Sequence, residues 1–182
     1  MPQTKFQRVL FAFITVCLTV SAYLFYSLYV VNGETLMMEL GTTRVIDAIH
    51  QMGGVSIFGQ ILPIWCVWVI EFCFAFALEN LVGSPVSLKI AFKYVDPATT
   101  KPMLIEMIII AATVTIMCPA MSFIAAWMYY PYYNGFYITT LLANWLKLIC
   151  YNLPFAYFSQ LFFIQPAVRT IFKALLKKQS RG

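Results

Sequence analysis

The sequence predicts an all-α integral membrane protein, a four-helix bundle made of two parallel two-helix repeats. Three observations lead to this prediction: four long apolar stretches, basic residues concentrated on one side of them, and a polar pattern that recurs along the chain. Hydrophobic residues make up 62% of the 182 residues, charged residues make up 10%, and the mean hydropathy is +0.80. A water-soluble domain could not bury that much apolar surface.

Each apolar stretch is long enough to cross the hydrocarbon core of a bilayer, which takes about 20 residues of helix. The four stretches cover residues 6–31, 55–83, 103–129 and 136–164. The first continues unbroken from Val9 to Val31, which is longer than the apolar core of a cleavable signal peptide. We therefore expect all four stretches to be membrane spans.

The basic residues predict the orientation of these spans. Of the 12 Lys and Arg residues, ten flank the spans on one side: Lys5, Arg8, Lys89, Lys93, Lys101, Arg169, Lys173, Lys177, Lys178 and Arg181. By the positive-inside rule, both termini are then cytoplasmic. The formal net charge of +5 suits contact with anionic lipid headgroups, so no nucleic-acid partner is expected.

An internal repeat divides the chain into residues 1–95 and 96–182. Aligning Pro85 with Pro166, an offset of 81 positions, pairs Glu71 with Asn152 and Glu79 with Gln160. The first helices of the two units align at an offset of 101, which pairs Ser21 with Ser122. Because each unit holds two spans, both copies enter the membrane in the same orientation, and an axis along the membrane normal should relate them.

The two units differ in the loop between their spans and in the segment that follows the second span. The first contains an extended outer loop, residues 32–54, in which Thr42 or Thr43 could cap a short interfacial helix. The apolar residues of that helix are expected to face the lipid; they are Val45, Ile46, Ile49 and Met52. The second unit ends in a basic cytoplasmic tail.

Short motifs in the second unit carry a resemblance to a known family. The chain has a basic N-terminus and a first span rich in Phe and Ala, then Asn-Leu-Pro-Phe-Ala at 152–156 and Gln-Pro-Ala-Val-Arg at 165–169. In these features it resembles an uncharacterised family of small bacterial membrane proteins, built from a two-span domain of unknown function, here in two tandem copies. The first copy departs from the pattern, with Glu71-Phe72-Cys73 in place of Asn152-Leu153-Pro154. The resemblance implies a bacterial inner-membrane location and no known reaction.

Ionisable residues within the spans are the best functional candidates, because each costs about 2.5–3.5 kcal/mol to insert. Glu71 and Asn152, its equivalent in the second unit, are expected near mid-membrane, and Glu79 is expected nearer the cytoplasm. Trp68 lies one helical turn from Glu71, and the pair could bind a lipophilic cation or carry a proton. The alternative interpretation is structural: Glu71 bonds Asn152 or pairs with Lys147 and holds two helices together.

Two prolines are expected to kink the spans. Pro119 lies within the third stretch and Pro154 within the fourth, and each frees a backbone carbonyl of the preceding turn. Such kinks serve either as hinges or simply as packing features.

The sequence predicts neither a cofactor nor an enzyme. The single histidine, His50, excludes bis-histidine haem within one chain and argues against a zinc hydrolase. Soft sulfur ligands around Met117 and Cys118 could hold Cu(I), although methionine and cysteine are also ordinary core residues. No nucleophile triad or phosphate-binding loop is present, so no metal and no catalytic residue is expected.

Two functions are consistent with these features. The first is a transporter of a small, cationic solute, in which Glu71 exchanges a proton for the substrate, Asn152 and Glu79 line the path, and Trp68 contacts the substrate. Four helices enclose a small cavity, so a homodimer is expected. The second is a non-catalytic scaffold or accessory subunit that docks another membrane protein through its first outer loop.

Overall fold

A computed structural model describes residues 5–96, 100–130, 132 and 135–179, so Arg181 of the predicted basic tail lies outside the described residues. The chain is mostly helical, which confirms the all-α class. In chain order the elements are α1 (Lys5–Tyr26), α2 (Gly33–Leu40), α3 (Val45–Met52), β1 (Val55–Ile57), β2 (Gln60–Leu62), α4 (Ile64–Leu78), α5 (Ser84–Tyr94), α6 (Pro102–Met128), α7 (Ile138–Ser159) and α8 (Gln165–Gln179).

Within the described residues, three helical segments are long and apolar enough to cross a membrane: Phe6–Val31, Ile64–Tyr94 and Met103–Met128. The fourth predicted span, α7, has 22 residues but is not among them. Asn144, Lys147 and Asn152 lie within α7 and lower its mean hydropathy. Its helical conformation agrees with the prediction, while its apolar character is weaker than that of the other three.

The second predicted span begins later than expected, because residues 55–62 form a β-hairpin. β1 pairs antiparallel with β2, with Val55 opposite Leu62 and Ile57 opposite Gln60. Both turn residues have positive φ, 49° at Phe58 and 78° at Gly59, as a tight hairpin turn requires. Pro63 then precedes the first residue of α4 and ends the hairpin.

The long loop of the first unit folds over one end of the bundle. α3 forms where the interfacial helix was expected, but Val45 and Ile49 are buried in a cluster with Leu28, Ile57 and Met128. The prediction that these two residues face lipid is therefore wrong, because the hairpin and the ends of α1 and α6 cover them. Arg44, not a threonine, holds the N-cap position.

The described chain contains three π-helical turns. One, Ser27–Val31, follows α1, and the other two interrupt the long helices at corresponding places. Glu79–Gly83 joins α4 to α5, and Gln160–Ile164 joins α7 to α8. Pro85 and Pro166 follow at the same distance, and a proline ring clashes with the carbonyl four residues earlier, which lies inside each π turn. A widened turn relieves that clash.

Burial repeats at the same offset of 81 positions. Ala75 and Ala156 are both buried, and so are Ser87 and Val168, two of the least exposed residues in the described chain. These positions are the faces through which α4, α5, α7 and α8 pack into the bundle.

Candidate functional site: a central cavity

A cavity of about 1470 Å³ extends between the helices. At one end, called here the basic end, it is lined by Arg8, Phe92 and Arg169. At the other, the loop end, it is lined by Asn32 and Ser56. Since ligand cavities usually measure about 300–1,000 Å³, this volume is large for so small a chain.

One face of α1 and one face of α6 form much of the wall. On α1 and in the π turn that follows it, every fourth residue lines the cavity: Arg8, Ala12, Val16, Val20, Leu24 and Leu28. On α6 and at its end, the lining residues have the same spacing: Ile109, Thr113, Met117, Met121, Ala125 and Tyr129. The two series are separated by the offset of 101 positions that aligns the first helices of the repeat. Most of this wall is apolar.

Glu71 projects from α4 into this cavity and is largely shielded from the surface. Its Oε1 accepts a hydrogen bond from the hydroxyl of Tyr129, the residue that follows α6. Because a phenol ordinarily keeps its proton at neutral pH, Tyr129 is the donor in this hydrogen bond.

Neither of the two structural partners predicted for Glu71 forms a hydrogen bond or ion pair with it in the described part of the chain. The amide Nδ2 of Asn152 donates to Ser122 Oγ at 3.3 Å, and Tyr23 donates to the backbone carbonyl of Asn152 at 3.4 Å. Lys147 also lines the cavity, but its side chain is exposed. In the part of the chain that the structure describes, the salt bridge found joins Arg169 to Glu106 and does not involve Lys147.

Trp68 packs away from the cavity wall. Its Nε1 donates to Ser21 Oγ at 3.1 Å, and its ring stacks on Phe72 with centroids 5.3 Å apart. Glu71 lines the cavity, whereas Trp68 does not. The indole thus joins α4 to α1 and does not lie beside the carboxylate in the cavity.

Glu79 is the first residue of the π turn that precedes Pro85, and it also lines the cavity. Ser84 Oγ donates to Glu79 Oε1 at 2.7 Å. A Cβ atom at Gly83 would lie 2.6 Å from Glu79 Oε2 and 2.9 Å from Met117 Sδ, so only glycine leaves the carboxylate room to fold over this turn. The equivalent residue of the second unit, Gln160, donates to Thr19 Oγ1 at 2.9 Å.

An ion pair lies at the basic end of the cavity. Arg169 on α8 contacts Glu106 on α6 at 2.6 Å, and their side chains are 43% and 24% exposed. Sequence reasoning missed Glu106, although an isolated acid within the third apolar stretch was a readable signal. It also missed Tyr129 and Gly83, whose roles depend on residues distant in the chain.

Both predicted kink residues lie inside helices, Pro119 in α6 and Pro154 in α7. The carbonyl of Pro119 accepts a hydrogen bond from Trp145 Nε1 at 2.9 Å, which ties α6 to α7 beside the proline. This contact favours a packing role for Pro119.

No group of three or more His, Cys, Asp or Glu side chains that could hold a metal ion occurs among the described residues. The sulfur atoms of Met117 and Cys118 line the cavity as parts of its apolar wall. No family model matches the chain, and no curated protein or solved structure is significantly similar to it.

Proposed function

We propose that this chain is a multi-pass protein of the bacterial cytoplasmic membrane that transports a small cationic solute through its central cavity. The observation that carries the proposal is a cavity of about 1470 Å³ that extends from one end of the bundle to the other and has two carboxylates, Glu71 and Glu79, on its wall. Glu71 is the site at which a proton and the solute exchange.

Membrane insertion is supported by the three long apolar helices and by the large apolar side chains that they expose. Phe13, Phe25, Trp65 and Leu81, for example, are 45%, 62%, 69% and 75% exposed. Contact of such an apolar surface with water is unfavourable in free energy, whereas contact with lipid tails is not. The basic residues Arg8 and Arg169 share one end of the cavity, which supports a cytoplasmic location for both termini.

The arrangement as two parallel repeats is supported by three correspondences. The π turns before Pro85 and Pro166, the buried faces of the second helices, and the cavity-lining faces of α1 and α6 all recur at the offsets that align the sequence. Two units packed about a central axis would enclose such a cavity between their equivalent faces.

The transport role of Glu71 is supported by its surroundings. A carboxylate in a membrane is costly unless it is paired, protonated or in contact with water. The neutral phenol of Tyr129 donates a hydrogen bond to Glu71, and neither Lys147 nor Asn152 bonds to this carboxylate. Its negative charge is then available to a proton or to a cationic solute, as a coupled exchange requires.

The cavity favours this function over the scaffold alternative. A purely structural bundle gains stability from close packing, because a void loses contacts along its whole surface. Retaining about 1470 Å³ of open space beside two carboxylates serves binding better than it serves packing. A homodimer remains a prediction.

Proton movement across proteoliposomes, driven by a cation gradient and followed with a pH-sensitive dye inside the vesicles, tests the proposal, because exchange of one proton for one monovalent cation moves no net charge. We expect a protein-dependent proton flux with at least one of Na⁺, K⁺, guanidinium, tetramethylammonium and tetraphenylphosphonium. Glu71→Asn should reduce this flux at least about tenfold. Asparagine is the residue that the second unit carries at this position, so the variant is expected to fold, and the exposed Glu39→Gln is the matched control. Equal fluxes from wild type and Glu71→Asn, or no flux with any of the ions, would contradict transport.

A further inference from the structure

The charges on the cavity wall are unevenly distributed. Among the described residues, six charged side chains line it. Glu106 and Arg169 neutralise each other at the basic end, where Arg8 is exposed. Lys147 is exposed as well. The shielded part of the wall therefore carries Glu71 and Glu79, and its net charge is negative.

The two carboxylates lie at different depths. Eight residues separate Glu71 from Glu79, which is about 12 Å along a helix at 1.5 Å per residue. Each is positioned by one neutral hydroxyl, that of Tyr129 for Glu71 and that of Ser84 for Glu79. Neither hydroxyl brings a charge, so each carboxylate keeps its attraction for a cation.

An amide corresponds to each acid in the second unit, and both amides line the same cavity. Asn152 is the counterpart of Glu71, and Gln160 is the counterpart of Glu79. If the two units were identical, each level would carry two acids. The actual pairing of one acid with one amide suits a ligand with a single positive charge.

The remaining wall excludes a small inorganic ion as the best-fitting ligand. A hard cation such as Ca²⁺ needs six to eight oxygen ligands, and Mg²⁺ needs six. The wall that carries the two carboxylates is largely apolar instead, with Val16, Val20 and Met117 among its residues. Apolar surface together with the aromatic residues Tyr23 and Tyr129 suits the organic part of a large cation.

From these observations we infer that the cavity binds an amphipathic organic monocation, such as a quaternary ammonium or phosphonium ion, whose charge can be held at either of two sites, Glu71 or Glu79. The inference rests on the proposed function, because it names the class of solute and adds a second cation site about 12 Å from the first. Both sites face one apolar wall, so the ligand can pass between them without leaving the cavity.

Binding of tetraphenylphosphonium to the purified protein in lipid nanodiscs tests the inference without requiring transport. Because either carboxylate alone can hold the ion, we expect one ion bound per chain, an affinity reduced about two- to fivefold by Glu71→Asn and by Glu79→Gln, and no binding by the double variant. Both single variants introduce the residue type of the second unit. Glu39→Gln, which removes an exposed carboxylate outside the cavity, should bind like wild type.

A second measurement uses only the wild-type protein, in case a variant fails to fold. Dicyclohexylcarbodiimide modifies carboxyl groups in apolar surroundings, and mass spectrometry locates the modified residues. Tetraphenylphosphonium should protect Glu71 and Glu79 from modification and should leave Glu39 unaffected.

Lack of protection, or equal binding by wild type and both acid variants, would overturn the inference. Proton flux driven by Na⁺ or guanidinium but no binding of tetraphenylphosphonium would overturn it while leaving the proposed function standing. Binding that depends on the two acids, with no proton flux for any ion, would support the site and contradict transport.

Discussion

The hydroxyl of Tyr129 donates a hydrogen bond to the carboxylate of Glu71, which links the end of α6 to the middle of α4 across the cavity. Removing that donor with Tyr129→Phe should leave the carboxylate without a fixed partner. We expect the protein to lose about 1–3 kcal/mol of stability and the proton flux driven by the substrate to fall several-fold. Thermal unfolding and the proteoliposome flux assay measure the two effects. Tyr29→Phe, at an exposed position in the π turn Ser27–Val31 that follows α1, should change neither.

Gly83 decides whether Glu79 can occupy its site. Glycine within a helix usually costs about 0.5–1 kcal/mol relative to alanine, so Gly83→Ala would ordinarily stabilise the chain. Here the new Cβ would meet Glu79 Oε2 and Met117 Sδ, and the carboxylate would have to move off Ser84. We expect tetraphenylphosphonium binding to weaken about as much as in Glu79→Gln. Leu81→Ala in the same π turn, whose side chain is 75% exposed, is the control. Normal binding by Gly83→Ala would show that the position of the carboxylate over Gly83 is unimportant.

The ion pair between Glu106 and Arg169 should matter more for access than for stability. A partly exposed pair contributes only about 0–1 kcal/mol, so Glu106→Gln is expected to unfold near the wild-type temperature. The variant leaves Arg169 unpaired at the basic end, where its charge repels an approaching cation. We expect slower transport at low ionic strength and recovery at high ionic strength, because salt screens the charge. The double variant Glu106→Gln, Arg169→Gln should recover at low salt. A rate deficit that is insensitive to salt would argue against repulsion.

Lys147 places a positive charge on the wall of a cavity that is inferred to bind a cation. Neutralising it with Lys147→Gln removes a repulsion that exposure already weakens, so the gain should be small. We expect tetraphenylphosphonium to bind about two- to threefold more tightly, measured by equilibrium dialysis. If Lys147 were instead the partner of Glu71, the same substitution would leave an unpaired acid and lower the stability by several kcal/mol.

The sequence predicts that Trp68 contacts the substrate, whereas in the structure Trp68 lies outside the cavity wall. Trp68→Phe keeps an aromatic ring against Phe72 but removes the donor to Ser21. We expect tetraphenylphosphonium affinity to stay within about twofold of wild type and stability to fall by about 1 kcal/mol. A tenfold loss of affinity with unchanged stability would place the indole in the binding site after all.

Much of the architecture could be predicted because it follows from periods in the sequence. Long apolar runs give helices of known length, and the recurrence of Pro85 at Pro166 gives the offset at which the second helices of the two units correspond. The π turns before these prolines were not predicted. The same offsets identify Glu71, Asn152, Glu79 and Gln160, all of which line the cavity. These features depend only on residues within one helix or on the comparison of one helix with another.

The remaining features depend on which distant residues meet. The hairpin at 55–62 is apolar enough to be taken as the start of a span, and it folds back because two consecutive residues adopt positive φ. Val45 and Ile49 look like a lipid-facing stripe, yet they are buried because the hairpin and the ends of α1 and α6 lie above them.

The helical class, the approximate positions of the long helices and four of the polar residues on the cavity wall follow from the sequence alone, because the period of a helix and the length of an apolar run are local properties. Tertiary packing is what brings Tyr129 to Glu71, 58 positions away, and Ser21 to Trp68. Pairing of this kind is set by how the helices are rotated against one another. That rotation is fixed by the packing of the whole bundle and leaves no periodic trace in the chain.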